Sequence, residues 1–252
     1  MKRTIAVLTV LLAAALSTAC TSTDDKPELD WPDQIANPEA FAFRAVIAST
    51  DGAPRKGTSA ADMTATTLDE VWKKVGDLSA ETAQALTAPP HPNEDDMALA
   101  PFASLTPAEV ELLPATVAFN VPYVHCGLLA EMPRAYPDPA AETTVCDAEN
   151  VKYHLRPVAI DASGLEGAKV EGDAVGGGFK IILDFTDAGT ATWADLTAAN
   201  VNGQVAIVLG DEVVTAPTIM AAITGGTTEV TGAFTQDEAR DLVARINDAL
   251  TG

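Results

Sequence analysis

Residues 205–219 read VAIVLGDEVVTAPTI: an apolar run, then Gly210-Asp211-Glu212, then a second apolar run stopped by Pro217. Two β-rich runs around a short Gly-Asp turn form a hairpin, with Gly210-Asp211 in the turn and the β-branched residues packing on a sheet. Pro217, which has no N–H to donate, is expected to end the pairing. Nothing in the stretch is poised for catalysis.

The segments on either side extend this pattern. VKYHLRPVAI (151–160) is a strand that Pro157 interrupts, at an edge or a bulge. GAKVEGD (167–173) and FKIILDF (179–185) are the arms of a second hairpin, with Gly176, Gly177 and Gly178 in or near its turn. DAGTATWADLTAANV (187–201) is a helix with Trp193 and Leu196 inward, and TEVTGAF (228–234) is another strand. In TQDEARDLVARINDAL (235–250), Thr235 caps a helix and Glu238 follows three residues on. Ala239, Leu242, Val243, Ile246 and Leu250 form its single apolar stripe. Strands on one side and two one-faced helices on the other predict an α+β fold, a two-layer sandwich of mainly antiparallel sheet with both helices on one face.

Upstream the pattern is less regular. FAFRAVIAS (41–49) is a strand with Phe41, Phe43, Ala45 and Ile47 on one face, and DGAPRKGTSAAD (51–62) is loop. A helix over about 67–76 places Leu68, Val71, Trp72 and Val75 together, with Thr67 and Glu70 as a capping box. TAPPHPNEDD (87–96) is a surface loop. LTPAEVELL (105–113) is a short helix, with Thr106 as cap, Pro107 in the first turn, Glu109 closing the box and Leu105 against Val110. ATVAFNVPYVHCGLL (115–129) runs through Cys126, and a Pro-rich excursion returns the chain to Cys146. This makes 41–149 an irregular, disulfide-bearing segment ahead of the sandwich at 150–252.

The first residues, MKRTIAVLTVLLAAALSTAC, have a positive start at Lys2 and Arg3 and an apolar stretch of about twelve residues, Ile5 to Leu16. That is the layout of a secretory signal (1–19) and too short for a comfortable membrane span. With Cys20 it resembles a bacterial lipobox, whose cysteine becomes the lipid-bearing first residue; ordinary cleavage after Ala19 is the competing reading. Three cysteines in an exported chain leave one over. If Cys20 carries lipid, Cys126 and Cys146 remain to pair, closing a loop worth about 3 kcal/mol in the chain-entropy model. Residues 20–40 are acidic, Pro-containing and aperiodic, a tether. The formal charge of −21 becomes −23 once Lys2 and Arg3 leave with the signal. Such a surface repels phosphate backbones and anionic headgroups, so nucleic acid is excluded as a partner and the membrane is reached only through the lipid anchor.

The motifs of known catalytic sites are missing: there is no Gly-x-Ser-x-Gly, Ser-x-x-Lys, His-Glu-x-x-His or Gly-x-x-x-x-Gly-Lys. The triple glycine at 176–178 precedes a strand, not the helix N-terminus that cradles phosphate. His91, His125 and His154 are scattered, and His125 beside Cys126 has no second ligand at metal spacing. Asp95-Asp96, Asp211-Glu212 and Asp237-Glu238 read as solvated charge, with weak calcium binding the competing reading. These observations predict no enzyme, no cofactor and no metal.

The last hundred residues, read as YHLRPV (153–158), DFTDAG (184–189), AIVLGDEVVTAPTI (206–219), ITGG (223–226) and VTGAFT (230–235), resemble in order and spacing the head subdomain of the large extracytoplasmic domain of SecD, a membrane component of the bacterial protein-export machinery. FAFR at 41–44 resembles the strand that precedes the head, and FNVPYVHC with TTVC resembles the insert of actinobacterial SecD proteins. Three departures stand out: Arg156 in place of a glycine, an inverted turn at Gly210-Asp211, and a chain that stops at Gly252, where SecD would enter its membrane helices. With the lipobox-like start, this predicts a stand-alone lipoprotein on the outer face of the cytoplasmic membrane, and the resemblance implies a non-enzymatic module that holds emerging exported polypeptides or docks on a translocon or envelope protein. Val214, Pro217, Ile219, Val230 and Phe234 are the candidate binding residues. The alternatives are an envelope scaffold whose partner binds the 50–150 region, and a hydrolase with an unrecognised site.

Overall fold

The computed structural model describes residues 41–58, 63–91, 96–133, 137–172 and 178–251. The signal segment with Cys20, the acidic tether, Asp95, Gly176 and Gly177 lie outside the described residues.

Strand β1 (Phe41–Asp51) begins FAFRA, five consecutive buried residues. A strand buried on both faces needs a layer on each side, and β1 has them. It pairs antiparallel with β7 (Val205–Leu209), from Phe41↔Leu209 to Ala45↔Val205. On its other side its first half meets β4 (Ile160–Asp161) at Phe43↔Ile160, and its second half meets β3 (Val151–Leu155), from Val46↔Leu155 to Asp51↔Val151. A register shift between Val46 and Ala48 turns Ile47 outward, to 38% exposure, instead of continuing the inner face of Phe41 and Phe43.

The remaining pairings close a ring. β7 pairs with β8 (Glu212–Thr215), β8 runs parallel to β2 (Thr143–Cys146) through the single register pair Cys146↔Glu212, and β2 pairs antiparallel with β3. The circuit β1-β7-β8-β2-β3 returns to β1, a five-stranded barrel-like sheet filled by Val145, Tyr153, Leu155, Ala206, Val208 and Val213. The simple two-layer sandwich is therefore corrected while the α+β class stands. The physical reason is β1: it comes from far upstream, inserts between β7 and β3, and curls the sheet on itself.

A separate three-stranded sheet, β5 (Leu165–Gly172), β6 (Phe179–Phe185) and β9 (Thr227–Phe234), packs with α6 (Asp187–Ala199) and α7 (Gln236–Thr251) over the outer face of β1 and β7. Phe43 sits at the centre, its ring 4.8 Å from Trp193, 5.6 Å from Phe185 and 5.2 Å from Phe41. On α7, Ala239, Leu242 and Ile246 of the expected stripe are buried and joined by Ala249, with Val243 and Leu250 half-buried beside them. Thr235 and Glu238 form the reciprocal cap expected there, at 3.2 and 2.7 Å.

The segment read as irregular is built of short helices: α1 (Leu68–Val75), α2 (Asp77–Ala85), α3 (Pro107–Val110), α4 (Ala115–Asn120) and α5 (Cys126–Ala130), with a 3-10 stretch Met97–Ser104. They share their own apolar core, from Ala65 and Val71 to Phe102, Val124 and Leu129. Thr67 caps α1, but Glu70 reaches the amide and hydroxyl of Thr66 rather than the cap residue. The disulfide Cys126–Cys146, Cα–Cα 5.7 Å, ties α5 to β2.

Four buried charged groups, Lys74, Glu109, Lys152 and Arg44, are held in contacts within and between these parts. Lys74 Nζ lies 2.9 Å from both oxygens of Glu109, which also accepts from the amides of Ala65 and Thr106. Lys152, on β3, donates to the carbonyls of Ala118, Val121 and Val124 at 3.1, 3.0 and 2.8 Å, capping the C-terminal end of α4 from the barrel. Arg44 donates to the carbonyls of Asp138, Ala141 and Arg156. An ammonium has three N–H bonds, and at Lys152 each meets a carbonyl.

A groove along the free edge of β9

The hairpin β7–β8 turns at Gly210-Asp211, with Leu209 opposite Glu212 and Gly210 at φ +70°. A positive φ at the first turn residue is what a two-residue hairpin loop requires, and glycine supplies it, so the inverted Gly-Asp order suits this turn. β8 ends at Thr215, yet the chain stays zipped to the stretch before β7. Pro217 still accepts from the Val205 amide (3.2 Å), Thr218 bridges Gln204, and Ile219 exchanges both backbone hydrogen bonds with Asn202 and Gly203 (2.8 Å each). Pro217 thus interrupts the strand without ending the pairing, because its carbonyl remains available. The chain then crosses to α6, where the Ile223 amide donates to Thr197 Oγ1 at 2.9 Å.

Between this crossing segment and β9 lies a groove of about 410 Å³, within the range of ligand pockets. Its outer wall is the consecutive run Pro217–Ile223, its floor Phe43, Trp193, Val205 and Ile207, and its other wall Thr228–Thr231. Side chains of consecutive strand residues point to opposite faces, so four in a row line one cavity only if it runs along the strand's edge. β9 is an edge strand, paired only with β6 in this sheet. The Phe185 amide donates to the Gly226 carbonyl at 2.8 Å, one step beyond the last register pair, Asp184↔Thr227. By the alternation of antiparallel ladders, Thr228 and Val230 also direct their backbone groups to β6, whereas Thr227, Glu229 and Thr231 direct theirs outward. Among the described residues no backbone partner takes those outward groups.

The groove is apolar and its rim adaptable. Met220 is 78% exposed on the outer wall, and a thioether there adjusts to varied shapes. Trp193 on the floor is buried and its indole N–H has no hydrogen-bond partner. Of the candidate binding residues, Pro217, Ile219 and Val230 line the groove. Val214 and Phe234 do not: both are half-buried against the central core, Phe234 at the far end of β9 opposite Phe179. Phe43, Trp193 and Met220 are among the lining residues that sequence reasoning missed. Trp193 was legible only as an inward helix residue, and Glu229 only as part of the candidate stretch Thr227–Phe234, with no role of its own.

The other titratable groups are held in structural contacts. His154 stacks on Phe119 at 5.5 Å, with Nε2 3.0 Å from Glu142; burial lowers its pKa against the opposing pull of that carboxylate. Burial and the nearby Lys152 charge lower His125. Asp96 pairs with Arg55 at 2.9 Å and accepts from the Tyr123 hydroxyl at 3.0 Å. Asp211 and Glu212, expected to be solvated, are corrected: burial raises both, Glu212 to about 7 despite the opposing charge of Arg245. Among the described residues no three His, Cys, Asp or Glu side chains gather for a metal, and no helix is long and apolar enough to cross a membrane.

Comparison with known proteins places the last two-fifths of the chain. Residues 140–250 match the family model described as SecDF, P1 head subdomain, and are SecD-head-like. The protein translocase subunit SecD of Streptomyces coelicolor is 34% identical over 112 residues, 40% of this chain and 20% of its own. That of Mycobacterium tuberculosis is 35% identical over 109 residues, 42% of this chain and 19% of its own. The chain thus spans about one fifth of the length of the curated relatives it matches. Among solved structures, one described as a membrane component SecDF that enhances protein export aligns at TM-score 0.35 and 19% identity, covering 82% of this chain and 93% of that one.

Proposed function

We propose that this chain, SecD-head-like over residues 140–250, is a non-enzymatic binding module of protein export, and that it holds extended polypeptides in the groove along β9. The observation that carries this reading is the open backbone edge at Thr227, Glu229 and Thr231 beside an apolar groove. An extended chain laid there adds a strand to the β5-β6-β9 sheet: main-chain hydrogen bonds supply affinity independent of sequence, and alternate side chains enter the groove. Each such bond contributes about 0.5–1.5 kcal/mol net, against the cost of ordering the incoming chain. The result is weak, reversible holding, which suits a chain in transit. In this reading Cys20 carries lipid and keeps the module on the outer face of the cytoplasmic membrane. The names of the relatives, translocase subunits, support the export context.

A proline at Glu229 tests the reading, because its missing N–H is an outward one and the ladder to β6 stays complete. The mature chain with Glu229→Pro should keep its thermal melting profile and lose at least tenfold in affinity for a labelled, permanently unfolded polypeptide. A peptide ligand N-methylated at alternate residues should lose binding to the unaltered protein in the same way. Unchanged affinity in both experiments refutes strand addition. A second reading, a dedicated envelope partner on the helical part, draws on the exposure of Leu78 and Met97 at 70% and 61%; replacing both with glutamate would then abolish partner retention while leaving peptide binding intact.

A further inference from the structure

We infer that Glu229 makes the groove selective for extended segments carrying a lysine or arginine between two apolar residues; this rests on the strand-addition reading of the same site. The geometry of β9 sets the pattern. An incoming antiparallel strand forms its hydrogen-bonded pairs opposite Thr227, Glu229 and Thr231, and paired side chains share a face of the sheet. Thr228 and Val230 turn their side chains into the apolar layer, whereas Thr227, Glu229 and Thr231 are exposed on the other face. Incoming residues opposite Thr228 and Val230 therefore face the groove, toward Pro217, Ile219 and Trp193. The residue between them lies opposite Glu229.

Charge then decides what that middle residue is. Glu229 holds Lys180 through one oxygen, Oε1, at 2.7 Å. A cation on the incoming strand meets its other side and extends the pair into a row, Lys180–Glu229–cation, across three strands. An acid in that place meets a like charge directly opposite, within a field set by a chain of net charge −21. The same charge disfavours a second copy of this chain as the occupant, since two surfaces of −21 repel. The pattern that fits is apolar–basic–apolar in extended form.

The experiment uses the full mature chain and three labelled nine-residue peptides that differ only at the centre: Val-Lys-Val, Val-Ser-Val and Val-Glu-Val. At low salt the lysine peptide should bind about threefold tighter than the serine peptide and about tenfold tighter than the glutamate peptide. The spread should fall within about twofold at 0.5 M salt. Glu229→Lys should reverse the order, and Glu229→Gln, the milder variant, should erase it. Equal binding of the three peptides, or an order unchanged in both variants, overturns the selectivity and leaves polypeptide capture standing. No binding of any peptide overturns both.

Discussion

Replacing Glu109 with glutamine tests the most heavily constrained contact in the helical part. The carboxylate is fully buried and accepts from Lys74 Nζ at 2.9 Å on each oxygen, from the Ala65 amide at 2.8 Å and from the Thr106 amide at 2.8 Å. Burial alone would raise its pKa; the hydrogen bonds from Lys74, Thr106 and Ala65 outweigh that and hold it at about 2 instead of 4.5. A shift of that size is worth about 3 kcal/mol. Breaking a buried ion pair by removing one partner costs about 3–5 kcal/mol, because the other charge is left uncompensated. The two routes agree, so Glu109→Gln should cost about 3 kcal/mol at pH 7. The sign follows from the lowered value: the contribution is complete above the unfolded-state pKa near 4.5 and is lost as pH falls through about 2. Urea unfolding of the oxidised chain at pH 7, 5 and 3 should therefore show a difference between variant and parent that is constant from 7 to 5 and smaller at 3. Adding Lys74→Met to the variant should recover part of the loss. A cost below about 1 kcal/mol at pH 7, or the same cost at pH 3, would refute the assignment of this charge.

Two further outcomes follow from the staples between parts. Replacing Cys126 and Cys146 by alanine opens a link with a sequence separation of 20 and should lower the unfolding free energy by about 3 kcal/mol, read from denaturant midpoints with the slope checked for a changed unfolded state. Burial lowers Lys152 from 10.5 to about 7, so between those values the unfolded chain binds more protons at this residue than the folded one. Stability should rise with pH in that window by up to about 1.4 kcal/mol per unit; Lys152→Met should remove the rise, and a parent profile flat from pH 7 to 9.5 would show that the three carbonyls keep the ammonium charged.

What the sequence disclosed depended on how local the determining contacts are. The helix at the C-terminus announces itself through Thr235, Glu238 and an apolar stripe, all within one element. The hairpin turn is equally local, and the disulfide follows from counting cysteines. The barrel is not local. VAIVL at 205–209 is buried throughout, and a continuous apolar run says that both faces are covered without saying by what. The covering strand begins 164 residues earlier at Phe41. The short helix at Pro107–Val110 was legible through its capping box of Thr106 and Glu109, whereas α2, α4 and α5 escaped notice because uncapped runs of five to nine residues are too short to show a period or to be stable alone. They are held by their shared core, by Lys152 and by the disulfide. In the groove, Pro217, Ile219 and Val230 were legible as apolar residues flanking a turn. The outward backbone of Glu229 was not, because it depends on the register between β6 and β9.

The position of β1 has a consequence for the order in which the molecule can assemble. Its partners in the ladder, β7 above all, are made long after it: Phe41 pairs with Leu209 and Ala45 with Val205. Contacts of such long sequence separation slow folding, since a long loop must close before any of them forms. The buried apolar core of the helical part, which lies within residues 65–129, has no such wait. A chain delivered N-terminus first would therefore carry Phe41 and Phe43 without their β7 partners, beside an already compact helical body, until about 165 residues had followed. Over that interval this protein is itself an extended, apolar-edged polypeptide in need of holding.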